Sequence, residues 1–178
     1  MPARLVLWRE DDRGRLPLVI ALSVLFAGLL AIFFVVFSAT RVDGDSMHPT
    51  LLNGDRVLVT KGYDVPSRGD VVSIRTTDGS TTSNIIKRVV ALPGDTVEVV
   101  GDVAYVNGAI SGAAPRAVIG SSTERWGSYT VAPGTVYVLG DNRPISLDSR
   151  LIGPVPLAAV RGQVVAIFSP VTRVGRID

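Results

Sequence analysis

Few side chains in this sequence can attack a carbonyl, and fewer can activate the attacker. There is no cysteine and only one histidine, His48. A thiolate nucleophile, a disulfide framework and a thiolate or multi-histidine metal centre are therefore excluded, and a Ser-His-Asp triad would have to use His48 as its base. Hydroxyls and amines remain, and three segments concentrate them. The first is Val42-Asp43-Gly44-Asp45-Ser46-Met47-His48-Pro49-Thr50-Leu51. The second runs from Asn84 to Asp95 and contains Lys87-Arg88-Val89-Val90-Ala91-Leu92-Pro93-Gly94-Asp95. The third, Leu139 to Arg150, reads Gly140-Asp141-Asn142-Arg143-Pro144-Ile145-Ser146-Leu147-Asp148-Ser149-Arg150 after a Val-rich stretch.

Taken singly, each has an ordinary explanation. Serine in a glycine-containing loop is usually a turn residue, and Asp and Arg in a polar loop are usually turn and ion-pair residues. Lys87 and Arg88 could be solvent-facing charges on an edge strand. The sharper reading starts from strand alternation, which puts Ile85, Lys87 and Val89 on one face. If that face is inside, aliphatic neighbours strip water from the amine and disfavour the ammonium form. Such burial lowers a lysine pKa by up to several units, whereas in water only about one lysine in a thousand is neutral at pH 7.

The elements that must position these residues are an apolar segment and a β domain. Leu16 to Ala39 carries no charge, and its roughly 24 residues would span about 36 Å as a helix, enough to cross a bilayer. A cleavable secretion signal has a shorter apolar region, about 7–15 residues, and a cut after Ala39 would put Phe37 where a small side chain belongs. The expectation is a permanent anchor at 16–39, a cytoplasmic tail at 1–15 and an outward-facing domain at 40–178. Arg4, Arg9, Arg13 and Arg15 precede the segment and keep the N-terminus inside. A formal charge of +2 without a basic stripe argues against a nucleic-acid partner.

Beyond Thr40, short alternating runs separated by Gly, Pro, Asn and Asp predict a mostly β fold. Expected strands are 55–60, 70–75, 83–91, 96–100, 103–106, 127–131, 135–140 and 160–167. The adjacent pairs Val71-Val72 and Val89-Val90 break alternation and predict strands buried on both faces. Turns are expected around Gly69, Gly94, Gly108 and Gly134, and a surface excursion at 107–125.

In order and together, the three segments resemble the boxes of the type I signal peptidase family: G-D-S-M-H-P-T-L its nucleophile box, K-R-V-V-A-L-P-G-D its lysine box and G-D-N-R-P-I-S-L-D-S-R its final box. Gly54-Asp55-Arg56-Val57 and Arg68-Gly69-Asp70-Val71-Val72 resemble its intervening motifs, so the likeness runs from about Asp43 to Val155. It implies an antiparallel, coiled β-sheet peptidase domain behind one transmembrane helix. The implied activity is removal of N-terminal signal peptides from exported preproteins at the outer side of the cell membrane, with no cofactor and no metal. Preproteins and membrane lipid are the implied partners, and the sequence sets no oligomeric state.

The resemblance makes Ser46 the nucleophile and Lys87 its general base. Ser146 would hydrogen-bond and orient the amine, Asp148 and Arg150 would form a supporting ion pair, and Arg88 would help hold the strand. Gly44, Asp45, Met47 and Pro49 would form the substrate or oxyanion neighbourhood. His48 falls at a variable position of the box and becomes a bystander. Some members carry a hydroxyl two residues before the nucleophile; here Gly44 leaves the oxyanion to the Ser46 N–H. Lysine at position 87 resembles the bacterial-type enzymes. Substrate is expected to add as an extended strand beside an exposed edge, with shallow pockets for small residues. About six residues separate Ala39 from Ser46, at roughly 3.3 Å each, which keeps the nucleophile near the lipid surface.

Three other readings stay open. One is a Ser-Lys peptidase serving a single secreted or pilin-like substrate, and another is a catalytically silent membrane-anchored binding module of the same fold. The third is a relative of the self-cleaving repressors, which have no need of an anchor.

Overall fold

The structure, a computed structural model, describes residues 15–63, 65–78, 81–113 and 117–177. Apart from Arg15, the expected tail lies outside the described residues, with Arg4, Arg9 and Arg13. The chain divides after Val36 into two units.

The first contains helix α1 (Arg15–Val36). Its side chains are apolar around the whole circumference, and none is buried. Its 22 residues make a helix long and apolar enough to cross a membrane, at about 33 Å against a hydrocarbon core of about 30 Å. The helix does not reach Ala39 as expected. Phe37–Arg41 form strand β1 instead, because from Phe37 onward the backbone pairs with a partner strand, Phe37 opposite Thr60 and Arg41 opposite Arg56.

The regular structure of the second unit is mostly antiparallel β, as the alternation predicts. After β1 come β2 (Arg56–Lys61), β3 (Val71–Asp78), β4 (Thr81–Ala91), β5 (Thr96–Val100), β6 (Val103–Val106), β7 (Ala109–Ile110) and β8 (Arg125–Thr130). Then follow β9 (Thr135–Leu139), the short helix α2 (Ser149–Ile152), β10 (Val155–Pro156), β11 (Val160–Ser169) and β12 (Gly175–Arg176). The larger sheet has the order β1-β2-β11-β3-β4-β9-β10, with β12 against β11, and the smaller has β7-β6-β5-β8.

The adjacent valines fall where two-sided burial requires. Val71 joins a cluster with Met47, Leu51, Val57 and Ile86, while Val72 joins one with Ile74, Val89 and Val138. Val90 faces a third cluster with Val97 and Val99 of the smaller sheet and Leu139 of β9. One strand therefore feeds two cores, and strict alternation is lost because neither face meets water.

Two features of β4 prepare the site. It pairs with β3 from Thr81 to Arg88, but with β9 only from Arg88 to Ala91. Ahead of Arg88, β4 thus has a strand on one side only. Its end is fixed by the turn through Gly94, whose φ of +88° suits glycine, and by Asp95, whose carboxylate accepts from Leu92 N at 2.8 Å. The excursion at 107–125 is not solely surface decoration. Val118 forms a parallel bridge with Asn142 of the third segment, which gives its backbone groups buried partners.

Candidate active site

Lys87 sits opposite Val72 in the β3–β4 register, with Ile85 and Val89 on the same strand face. Val72 and Val89 are fully buried, and Lys87 itself is 4% exposed. Loss of water lowers its pKa from 10.5 to about 8, against the opposing pull of Asp148 and Asp141. The amine donates to Ser46 Oγ at 2.7 Å and to the Ile86 carbonyl at 3.1 Å.

Ser46 is half-buried in a tight loop. Gly44 enters that loop at φ +86° and donates its N–H to Asn53 Oδ1 at 3.3 Å. His48 N donates to Asp45 O, and Leu51 N to Met47 O. Met47 and Leu51 are buried pegs that hold the loop against the first core cluster. Asp45 is exposed and Pro49 half-buried. His48 is exposed and takes no part in the hydrogen bonds that join Ser46 to Lys87.

The third segment locks the first two together. Asn142 donates its backbone N–H to Ser46 O at 3.0 Å and its side-chain amide to Asp45 O at 3.1 Å. Arg88, on the opposite face of β4 from Lys87, meets Asp141 in a buried pair and also donates to Gly69 O and Thr50 Oγ1. Asp148 is fully buried; it accepts from Arg150 through both oxygens, at 2.9 and 3.0 Å, and from Gly140 N at 3.0 Å.

The expected Ser146–Lys87 hydrogen bond is absent. The amine is engaged by Ser46 and Ile86, and Ser146 Oγ lies buried without a partner. The hydroxyl is nonetheless packed beside the site: a Cβ at Gly140 would fall 2.1 Å from it and 2.5 Å from Ser46 O. A buried hydroxyl in that state costs about 1–3 kcal/mol, so a bond offered by a shifting amine would be taken up.

Several residues at the site escaped the sequence reading. Gly140, Asp141, Asn142 and Thr50 all lay inside quoted boxes, and the polar types of the last three were the available signal. Asp102, which accepts from Arg150 at 3.0 Å, sits in the turn between β5 and β6 and gave none.

A cleft of about 90 Å³ opens between Thr40–Asp43 and Asn84–Lys87, with Ser46 and Met47 also in its wall. Chemically, an alcohol within hydrogen-bond reach of a desolvated amine is an arrangement in which an amine can serve as base to a hydroxyl nucleophile. Among the described residues, no group of three or more acidic or histidine side chains could hold a metal.

The family model described as signal peptidase, peptidase S26, matches residues 15–169. A signal peptidase I of Leptolyngbya laminosa is 35% identical over 167 residues, 89% of this chain and 80% of that one. Signal peptidase I S of Bacillus subtilis (strain 168) is 36% identical over 143 residues, 74% of each chain. A crystal structure of a signal peptidase I from Enterococcus faecalis V583 is 31% identical and covers 58% of this chain and 99% of that one, at a TM-score of 0.44. By the extent of the family match and of the two relatives' identity, the chain belongs to the peptidase S26 family of signal peptidases.

Proposed function

We propose that this chain is a membrane-bound serine endopeptidase that removes N-terminal signal peptides from exported preproteins, with Ser46 as nucleophile and Lys87 as general base. The observation that carries the reading is the 2.7 Å contact between Ser46 Oγ and an amine only 4% exposed, whose pKa is lowered to about 8.

Neutral Lys87 takes the proton of Ser46 as the hydroxyl attacks the scissile carbonyl. The resulting ammonium returns the proton to the leaving amine, and an acyl-enzyme forms on Ser46. Lys87 then activates a water that releases the signal peptide. The oxyanion is served by the Ser46 N–H, since Gly44 has no hydroxyl to offer. Ser146 accepts or donates a bond to the amine as it shifts between these roles, while Asp148 with Arg150, and Arg88 with Asp141, hold the surrounding backbone.

The unpaired edge of β4 at Asn84–Lys87, flanked by the narrow cleft, suits an extended peptide added as a strand, with room for small side chains. Helix α1 anchors the chain in the cell membrane in a single pass, with its N-terminus inside and the β domain outside. The test is cleavage of a signal-bearing preprotein by the full chain in detergent, together with labelling by a serine-reactive lactam. Cleavage and labelling that both vanish in Ser46→Ala support the reading. Cleavage that survives this change removes Ser46 as nucleophile, and a wild-type chain that neither cleaves nor labels is a silent module.

A further inference from the structure

The turn between β5 and β6 belongs to the smaller sheet and lies outside the three segments, yet its Asp102 is 3% exposed and fully engaged. Oδ2 accepts from Gly120 N at 2.8 Å, Oδ1 from Arg150 Nη1 at 3.0 Å, and the backbone carbonyl from Arg143 Nη1 at 2.8 Å. Gly120 approaches so closely that a Cβ there would lie 2.9 Å from Asp102 Oδ2 and 2.9 Å from Pro144 Cγ. Two residues earlier, Val118 is stitched into the third segment: its N–H donates to Asp141 O at 2.7 Å, and its carbonyl accepts from Arg143 N at 3.1 Å. Asn142, held between those two bonds, grips Ser46 O and Asp45 O.

We propose that Asp102 is a positioning residue for the Ser46–Lys87 pair, latching residues 118–120 against Asn142 so that Asn142 fixes the Ser46 loop. The inference rests on the proposed peptidase reading and adds to it a residue that touches neither Ser46 nor Lys87. Its physical content is a continuous chain of hydrogen bonds: Asp102 to Gly120, Val118 to Asp141 and Arg143, and Asn142 to Ser46. Arg150 closes the circuit from the other end. One guanidinium is shared between Asp102 and Asp148, and it also donates to Arg143 O at 2.6 Å, so the loop from 140 to 150 is held at both ends by the same carboxylate pair. Because Asp148 continues to neutralise Arg150, Asp102 can be removed without leaving that guanidinium unpaired.

The experiment compares wild type, Asp102→Ala, Asp102→Asn and Gly120→Ala in the full chain in detergent, by preprotein cleavage and by amide hydrogen exchange. Gly120→Ala attacks the same latch by steric displacement and serves if Asp102→Ala folds poorly. Asp102→Ala and Gly120→Ala are expected to lower kcat by about tenfold to a hundredfold, the usual cost of a small misplacement of reacting groups, with KM within about twofold. Exchange at Val118, Asn142 and Arg143 should accelerate, while the β2–β11 amides stay protected. Asp102→Asn keeps an acceptor for Gly120 N–H and should recover part of the loss. Unchanged exchange at Asn142, or exchange that rises equally in every strand, overturns the proposal, as does wild-type kcat in both latch variants. The exchange arm judges the latch even if Ser46→Ala were to retain cleavage and the peptidase reading failed.

Discussion

Arg88 and Asp141 form a fork-to-fork pair on the strand that carries Lys87, Nε to Oδ1 at 2.9 Å and Nη2 to Oδ2 at 2.7 Å, with both side chains 2% exposed or less. Asp141 also pulls the Lys87 pKa upward, less strongly than Asp148 does, but desolvation outweighs both. Breaking the ion pair from one side leaves an uncompensated buried charge. Asp141→Asn should therefore cost about 3–5 kcal/mol in urea unfolding, and Arg88→Met combined with Asp141→Leu should recover most of it. Equal stability of Asp141→Asn and wild type would show that the pair does not carry the fold here.

The proposed base sets a pH profile. With Lys87 at about 8, kcat/KM should rise with pH through that value and fall about tenfold per unit well below it. Asp148→Asn removes the largest influence holding that pKa up, so its midpoint should move to lower pH. Lys87→Ala should lose at least about 10³-fold, and Lys87→Arg should fare no better, because a guanidinium does not give up its proton in this range. A rate flat between pH 6 and 9, or an active Lys87→Arg, would exclude a neutral-amine base.

The same shift acts on stability. The folded chain binds the Lys87 proton less tightly than the unfolded chain, with a pKa of about 8 against 10.5, a difference worth roughly 3 kcal/mol. Below pH 8 both states are protonated and the folded state bears the full penalty. Between pH 8 and 10.5 the unfolded state holds more protons, so stability rises with pH; above 10.5 the penalty is gone. Lys87→Met should thus exceed wild type in stability at pH 6 by about 1–3 kcal/mol, with the gain fading above pH 8. Urea unfolding of the two chains at pH 6 and pH 10 decides it, and a methionine variant less stable at pH 6 would contradict the burial argument.

Legibility in the sequence followed local chemistry. Strands long enough to show alternation, such as Thr96–Val100 and Val103–Val106, were read with their observed bounds, and the paired valines announced two-sided burial. The two-residue strands β7, β10 and β12 were invisible, since a pattern of period two needs more than one repeat. Strand β1 hid in the tail of an apolar run, where only its register with β2 distinguishes strand from helix. At the site, the aliphatic neighbours of Lys87 foretold its burial. Asp102 was unreadable because its role depends on the smaller sheet meeting the loop of Arg143 and Arg150, a contact between distant parts of the chain.

Gly140 offers the most local test of how the three segments fit. It carries no positive φ that would demand glycine; what demands glycine is space. A Cβ would lie 2.1 Å from Ser146 Oγ, 2.5 Å from Ser146 Cβ and 2.5 Å from the Ser46 carbonyl oxygen. Gly140→Ala must therefore push the Ser46 loop away from the third segment, and a misplacement of about 1 Å in a reacting group commonly costs a hundredfold in rate. Ser146→Ala alone removes a hydroxyl that has no partner and should leave stability unchanged or slightly raised, while lowering kcat about tenfold if the hydroxyl serves the amine during turnover. The double variant Gly140→Ala/Ser146→Ala relieves only the contact with Oγ and keeps those with Ser146 Cβ and the Ser46 carbonyl, so it should stay as inactive as Gly140→Ala. Recovery of activity in the double variant, measured as kcat on a preprotein, would mean that the Ser46 backbone is not held at the position that Gly140 leaves open.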